Sequence, residues 1–161
     1  MACEEETEIR IRRARISDAA SISSVMYNSF IEYKSFYTNK AFHMTCPTRE
    51  QVLERMKVGP LWVVSLDNKI VGTVSVVGSV EGLHVRGMAV LPEARGQGIG
   101  WLLLEEIQKY AAKKGFQRLL LGTTPFLLRA INLYRNFGFR RCSQELIEYY
   151  GTKIFIMEKN I

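Results

Sequence analysis

The chain has 161 residues, 47% hydrophobic and 24% charged, a length that carries one core without staples and a balance that excludes disordered and fibrous classes. Its net charge of +6 suits nucleic acid and phosphorylated cofactors alike and does not choose between them. The longest apolar runs, at 61–64 and 119–121, fall far short of the roughly 18 residues of a membrane span.

Ile9, Ile11 and Arg13 alternate as a short first strand. Ser17-Asp18 then opens a helix with Ile22, Val25, Met26 and Phe30 on one face. Residues 36–47 read as irregular. Thr48 with Gln51 three positions on is a capping box, starting a short helix that turns Val52, Leu53 and Met56 inward. Two β-branched runs, 61–66 and 70–77, are joined by the turn-forming Asp67-Asn68-Lys69 and predict a hairpin. A strand over 83–90 ends at Leu91-Pro92, because proline lacks the amide that a sheet interior needs.

From Ile99 the spacing of Leu102, Leu103, Ile107, Tyr110 and Ala111 is helical, and Gly115 is a C-terminal stop. Residues 117–121 form a buried strand. Pro125 suits the first turn of a helix carrying Leu128, Ile131, Tyr134 and Phe137 and ended by Gly138. Two last strands, 139–149 and 152–158, flank a turn at Tyr150-Gly151. This order predicts the α/β class, a mixed sheet with helices on both faces.

No repeat or Pro/Gly/Ser-rich linker divides the chain, so one domain is expected over 1–161, with its core at about 9–159. The start Met1-Ala2-Cys3-Glu4-Glu5-Glu6 has neither the basic nor the apolar part of a secretory signal, which leads to the expectation of a cytoplasmic protein. Cys3, Cys46 and Cys142 and the two histidines make no ligand spacing, so neither zinc nor structural disulfides are expected. Cys142 is expected as a small buried residue.

Arg95-Gly96-Gln97-Gly98-Ile99-Gly100 stands between a strand end and a helix start. There, unpaired amides and the helix dipole make an anion site, and glycine lets a phosphate approach the backbone. No Lys-Ser/Thr follows as in a P-loop, and Trp101 stands where a dinucleotide fingerprint needs glycine, so a diphosphate of another kind is indicated. The preceding strand can splay from its neighbour at Leu91-Pro92 and leave the backbone of Met88, Ala89 and Val90 to pair with an amide-bearing ligand such as pantetheine. A glycine turn without a ligand is the alternative reading.

At these residues the sequence resembles the GNAT (GCN5-related) N-acetyltransferase family, whose coenzyme A signature Arg/Gln-x-x-Gly-x-Gly/Ala is met by Arg95, Gly98 and Gly100. The resemblance extends to Ala130-Ile131-x-Leu133-Tyr134-x-x-x-Gly138-Phe139, which looks like the family's helix carrying a tyrosine beside the acetyl thioester. It covers about 9–159 in element order and is specific from about 83 to 139. It implies a central, mostly antiparallel sheet and direct acetyl transfer from acetyl-CoA, as co-substrate and without a metal, to a primary amine. It also implies cofactor contacts from Met88, Ala89, Val90, the loop from Arg95 through Gly96, Gln97, Gly98 and Ile99 to Gly100, and Asn132.

Transfer needs a neutral amine and a proton for the departing thiolate, whose pKa near ~8.5 lies below the ~10 of tyrosine. Tyr134 therefore fits as the acid, against a purely core role on its apolar helix face. His84 shares a strand face with Arg86 and then Met88 by period two, and is the candidate base. It matches the first histidine of the His-x-His of some aralkylamine acetyltransferases, while Arg86 replaces the second. A hydrogen-bonded strand histidine is the equal alternative.

Two departures from the family stand out. Leu127 occupies the position where many members carry asparagine, seven before the tyrosine, and no glutamate base stands near Gly122-Thr123 as in members acting on ribosomal N-termini. With the aromatic run Tyr27, Phe30, Tyr33, Phe36 and Tyr37, which suits either an acceptor pocket or helix packing, this favours a small-molecule amine over a protein acceptor. Lys109, Lys113 and Lys114 read as a solvated helix face rather than a nucleic-acid surface. A homodimer is left open, and the rival functions are a coenzyme A-binding sensor without catalysis, a protein N-terminal or lysine acetyltransferase, and a basic nucleic-acid-binding domain with an incidental glycine turn.

Overall fold

A computed structural model of the chain describes residues 7–161; the acidic start and Cys3 lie outside the described residues. The hairpin at Asp67-Asn68 forms with both residues at positive φ, 49° and 68°, the conformation whose twist matches two-residue hairpins. It joins β2 (Leu61–Leu66) to β3 (Lys69–Ser79). With β1 (Ile9–Arg13), β4 (Gly82–Val90), β5 (Arg118–Thr123), β6 (Arg140–Arg141) and β8 (Thr152–Asn160), they form a sheet in the order β1-β2-β3-β4-β5-β8-β6. A short β7 (Ile147–Tyr149) pairs with β8.

All neighbours in the sheet are antiparallel except β4 and β5. That pair is parallel because α4 (Ile99–Lys113) crosses between them, the connection parallel strands require. On one face lie α1 (Ala19–Phe30) and α3 (Arg49–Val58): a Cβ placed on Gly87 of β4 would sit 3.2 Å from both Met26 and Arg55. On the other face α4 packs so tightly that a Cβ on Gly72 of β3 would come within 2.9 Å of Ile99. Between the layers Val63, Val64, Val74, Leu103 and Ile107 have 0% exposure, each contributing about 1.5–3 kcal/mol by burial. Thr48 and Gln51 make the reciprocal cap of α3 at 3.2 and 2.9 Å, worth about 1 kcal/mol.

Four sequence expectations change. The segment 36–47 is not irregular throughout: it holds α2 (Asn39–Thr45), capped by the Thr38 hydroxyl accepting from the Ala41 amide at 3.1 Å. One turn too short to show a period, it is held by burial of Phe42 among Tyr27 and Tyr37. Helix α5 (Leu128–Phe137) begins three residues beyond Pro125, because the Leu127 amide first closes a turn on the Thr124 carbonyl. The strand expected over 139–149 breaks into β6 and β7 where the Arg141 guanidinium turns onto the carbonyls of Ser143 and Gln144, at 2.7 and 2.9 Å. Cys142, at that break, is exposed rather than buried.

Among the described residues no helix is long and apolar enough to cross a membrane, and no cluster of His, Cys, Asp and Glu could hold a metal ion.

Candidate active site

One irregularity in β4 shapes the site. Ser75 of β3 pairs with Gly87 and Val76 with Val85, so Arg86 is the extra residue of a β-bulge. A bulge bends its strand and raises its twist. Beyond it β4 parts from β5: the two are paired only over Leu83–Val85 with Leu119–Leu121. Met88, Ala89 and Val90 are thereby left without a partner on that side, and a cleft of about 460 Å³ opens between them, the glycine loop, α4 and α5.

At the mouth of the cleft Gly96 and Gly98 adopt φ of 81° and 78°, with nothing within 4 Å of where a Cβ would stand. Only glycine takes this backbone readily. The amides of Gly96, Gln97 and Gly98 make no backbone hydrogen bond among the described residues, and the first helical bond of α4 runs from Leu102 to Gly98. The amides of Ile99, Gly100 and Trp101 are therefore the orphan donors of a helix N-terminus, and the dipole adds to their pull on an anion. Gly100 has a second reason to be glycine: a Cβ there would stand 2.7 Å from Leu133 of α5 and 3.4 Å from Met88.

Of the expected cofactor residues, Met88, Ala89, Val90, Arg95, Gly96, Gly98, Ile99, Gly100 and Asn132 line this cleft, together with Tyr134. Gln97 does not; it is exposed on the outside of the loop. Arg95 is engaged by the protein itself, its guanidinium 2.6 Å from Glu32 and 3.1 Å from the Ser29 carbonyl, with Nε 3.3 Å from the Val90 carbonyl. It ties the loop to the end of α1.

Tyr134 projects from α5 into the interior, 8% exposed, its ring edge-on to Phe139 at 5.9 Å. Burial pushes its hydroxyl up to about 12, so it keeps its proton throughout the neutral range. The lining contains no histidine and no carboxylate. Ser29, also in the lining, has a buried hydroxyl with no hydrogen-bond partner among the described residues, as has Thr123 at the end of β5. The orphan Ser29 hydroxyl, the unpaired amides of the glycine loop and the unpaired strand edge together fit an acyl-pantetheine ligand.

The structure does not bring His84 to Tyr134. Because of the bulge, period two fails between Arg86 and Met88. Met88 pairs with Val74 and turns toward Gly100 and α4, whereas His84 pairs with Val77 on the opposite face. The imidazole Nε2 lies 2.9 Å from the Ser79 hydroxyl. It borders a separate cavity of about 360 Å³ beside Arg118, Cys142 and Glu158.

Sequence reading missed Ser29 and Trp101 and left Tyr33 undecided; all three line the cleft. The signal for Trp101 is its place at the start of the helix that leaves the glycine loop; it stays 40% exposed, with its ring edge-on to Phe137 at 4.9 Å. Nothing in the sequence marked Ser29. Tyr33, Phe36 and Tyr37 gather around Phe126, with ring centroids 6.1, 5.3 and 4.9 Å away, forming an aromatic wall beside the cleft.

A splayed sheet with an amide cradle facing a buried tyrosine is the arrangement of acyl-coenzyme A-binding transferases. The model of the acetyltransferase (GNAT) family matches residues 25–139, and the chain belongs to that family. It is 41% identical over 57 residues, 35% of each chain, to an uncharacterised N-acetyltransferase of Schizosaccharomyces pombe. It is 28% identical over 142 residues, 84% of each chain, to an uncharacterised N-acetyltransferase of Escherichia coli. The PaiA N-acetyltransferase of Thermoplasma acidophilum, solved with coenzyme A, superposes with a TM-score of 0.79 at 21% identity, covering 96% of this chain and 99% of that one. The chain spans only 35% to 44% of the length of several relatives it matches, among them the N-acetylaspartate synthetase of Xenopus tropicalis.

Proposed function

We propose that the chain transfers an acetyl group from acetyl-CoA directly to a primary amine of a small molecule. The observation that carries this reading is one continuous cleft lined by Gly96, Gly98, Ile99 and Gly100 of the loop, the free edge of Met88–Val90, and Tyr134.

Acetyl-CoA supplies an activated acyl group on a thiolate leaving group. The amides at the start of α4 would hold its diphosphate, and the strand edge would align its amide-bearing arm as an added strand. Tyr134, kept protonated by burial, would give its proton to the departing sulfur and so favour collapse toward products. With no histidine or carboxylate among the described residues of the lining, the amine enters as the neutral base, and the proton it sheds after attack passes to water, from which Tyr134 regains the proton it gave to sulfur.

The aromatic wall around Phe126 and the absence of a carboxylate from the cleft support a small acceptor rather than a protein N-terminus. Calorimetry with acetyl-CoA, followed by thiol release across a panel of amines, tests the reading. Binding together with amine-dependent thiol release is expected; binding without release from any amine would make the protein a cofactor sensor.

A further inference from the structure

The cofactor cleft opens on the face of β4 that carries α4 and α5. On the opposite face, where β4 leaves β5, stand two arginines that the chemistry above does not use. Arg86 is the exposed bulge residue itself. Arg55 reaches across from the half-buried side of α3, its Nη1 3.2 Å from the Cβ position of Gly87, its Nη2 donating to the Met44 carbonyl at 3.2 Å.

The two cations work against each other. Burial, and then the charge of Arg86, hold the Arg55 guanidinium below its ordinary pKa. Neither arginine forms an ion pair with any Asp or Glu among the described residues, although eight ion pairs occur elsewhere. Bringing two guanidiniums together and partly desolvating one is unfavourable unless an anion completes the site, and a fork of donors suits a carboxylate.

The third member is Tyr149, half-buried against the cluster of Tyr37, Ala41 and Phe42; burial raises its hydroxyl above the ordinary tyrosine pKa, and the charges of Arg55 and Arg86 oppose that rise. It is placed by the β7–β8 hairpin, whose turn is pinned to the start of α2. The Thr38 hydroxyl donates to the Tyr150 carbonyl at 2.6 Å, and the Thr38 amide donates to the Thr152 hydroxyl at 3.0 Å.

We propose that Arg55 and Arg86, with Tyr149, form a carboxylate subsite on the acceptor side of the cleft, so that the acceptor is an amine that also carries a carboxylate, an amino acid. This rests on the acetyltransferase reading above. Arg86 is two residues before Met88, on the strand whose free edge lines the cleft with Tyr134, so an anion held there is anchored to the strand that binds the cofactor. The same positive charge disfavours polyamines and other cationic acceptors.

The test compares the standard L-amino acids, β-alanine and γ-aminobutyrate with their amides, which lose the carboxylate charge; because amidation also lowers the pKa of the amine, each rate and affinity is referred to the concentration of neutral amine. Thiol release is read with saturating acetyl-CoA, and binding is read by calorimetry on protein saturated with coenzyme A. At least one free acid should exceed its amide by about tenfold or more in kcat/KM or affinity, the scale of a lost charged contact. Arg86→Glu, at an exposed position that folding does not depend on, should bring that ratio to about one or below, with acetyl-CoA affinity retained; Arg86→Lys should restore part of it. Arg55→Met should act in the same direction. Amides equal to or better than the acids in every pair, or a ratio untouched by Arg86→Glu, overturn the subsite while the cofactor is still bound. Failure to bind acetyl-CoA at all overturns the acetyltransferase reading and the subsite with it.

Discussion

The guanidinium of Arg95 lies 2.6 Å from the carboxylate of Glu32, joining the loop before α4 to the turn that follows α1. The signature arginine thus holds the cradle in place from behind. Arg95→Ala is expected to weaken acetyl-CoA binding modestly, since a partly exposed ion pair is worth about 1 kcal/mol or less. Glu32→Gln should weaken it by a similar factor, and the double variant should be no worse than either alone. Calorimetry on the four proteins decides; additive losses would mean that the two side chains act separately, with Arg95 reaching the ligand.

Gly98 and Gly100 should fail in different ways. A side chain at Gly98 has room but must adopt φ of 78°, at a cost of about 1–2 kcal/mol, and it covers the amides that face the ligand. Gly98→Val should therefore stay folded and lose at least about tenfold in acetyl-CoA affinity, about 1.4 kcal/mol. A methyl at Gly100 meets the end of the Leu133 side chain at 2.7 Å, which can turn aside, and alanine gains up to about 1 kcal/mol over glycine in a helix, so Gly100→Ala should change thermal stability by about 1 kcal/mol or less while narrowing the cleft beside Leu133. Melting curves alongside calorimetry separate the two; unchanged affinity in folded Gly98→Val would remove the loop from the site.

Tyr134→Phe keeps the ring and its contact with Phe139 and removes only the proton donor. Turnover is expected to fall by roughly 10² to 10⁴, about 3–5 kcal/mol of barrier, with little change in melting temperature or cofactor affinity. Full activity in the variant would show that the thiolate leaves unaided.

Among the described residues the cleft holds no histidine or carboxylate to remove the proton. His84 lies 2.9 Å from the Ser79 hydroxyl and borders another cavity. His84→Gln should therefore cost far less than the roughly 10²- to 10⁴-fold of a lost general base. The rate at low acceptor concentration should climb with pH until the acceptor amine is itself neutral, and move with that amine's pKa across a series of acceptors. Tyr134, whose hydroxyl is raised to about 12, retains its proton below that value and adds no falling limb before roughly pH 10. An acid limb fixed near the pKa of histidine, and absent from His84→Gln, would restore His84 as the base.

The sequence by itself determined what local chemistry can determine. Thr48 and Gln51 cap a helix, Asp67-Asn68 turns a hairpin, and Gly96 and Gly98 bend a loop at a helix start, each through conformations or hydrogen bonds that reach no further than three or four residues. The same locality let Arg95, Gly98 and Gly100 be read as one family motif, and Tyr134 with Gly138 as a second. What required the tertiary structure was every relation that crosses the sheet. A single bulge at Arg86 reverses which face each later residue of β4 presents, separating His84 from Met88 although the sequence sets them in step. Helix α2 exists because Phe42 finds Tyr27 and Tyr37, not because its seven residues carry a period. Arg55 and Arg86, 31 positions apart by their numbers, meet only because α3 lies across β4, and no pattern along the chain encodes that contact, since its energy comes from packing between distant segments.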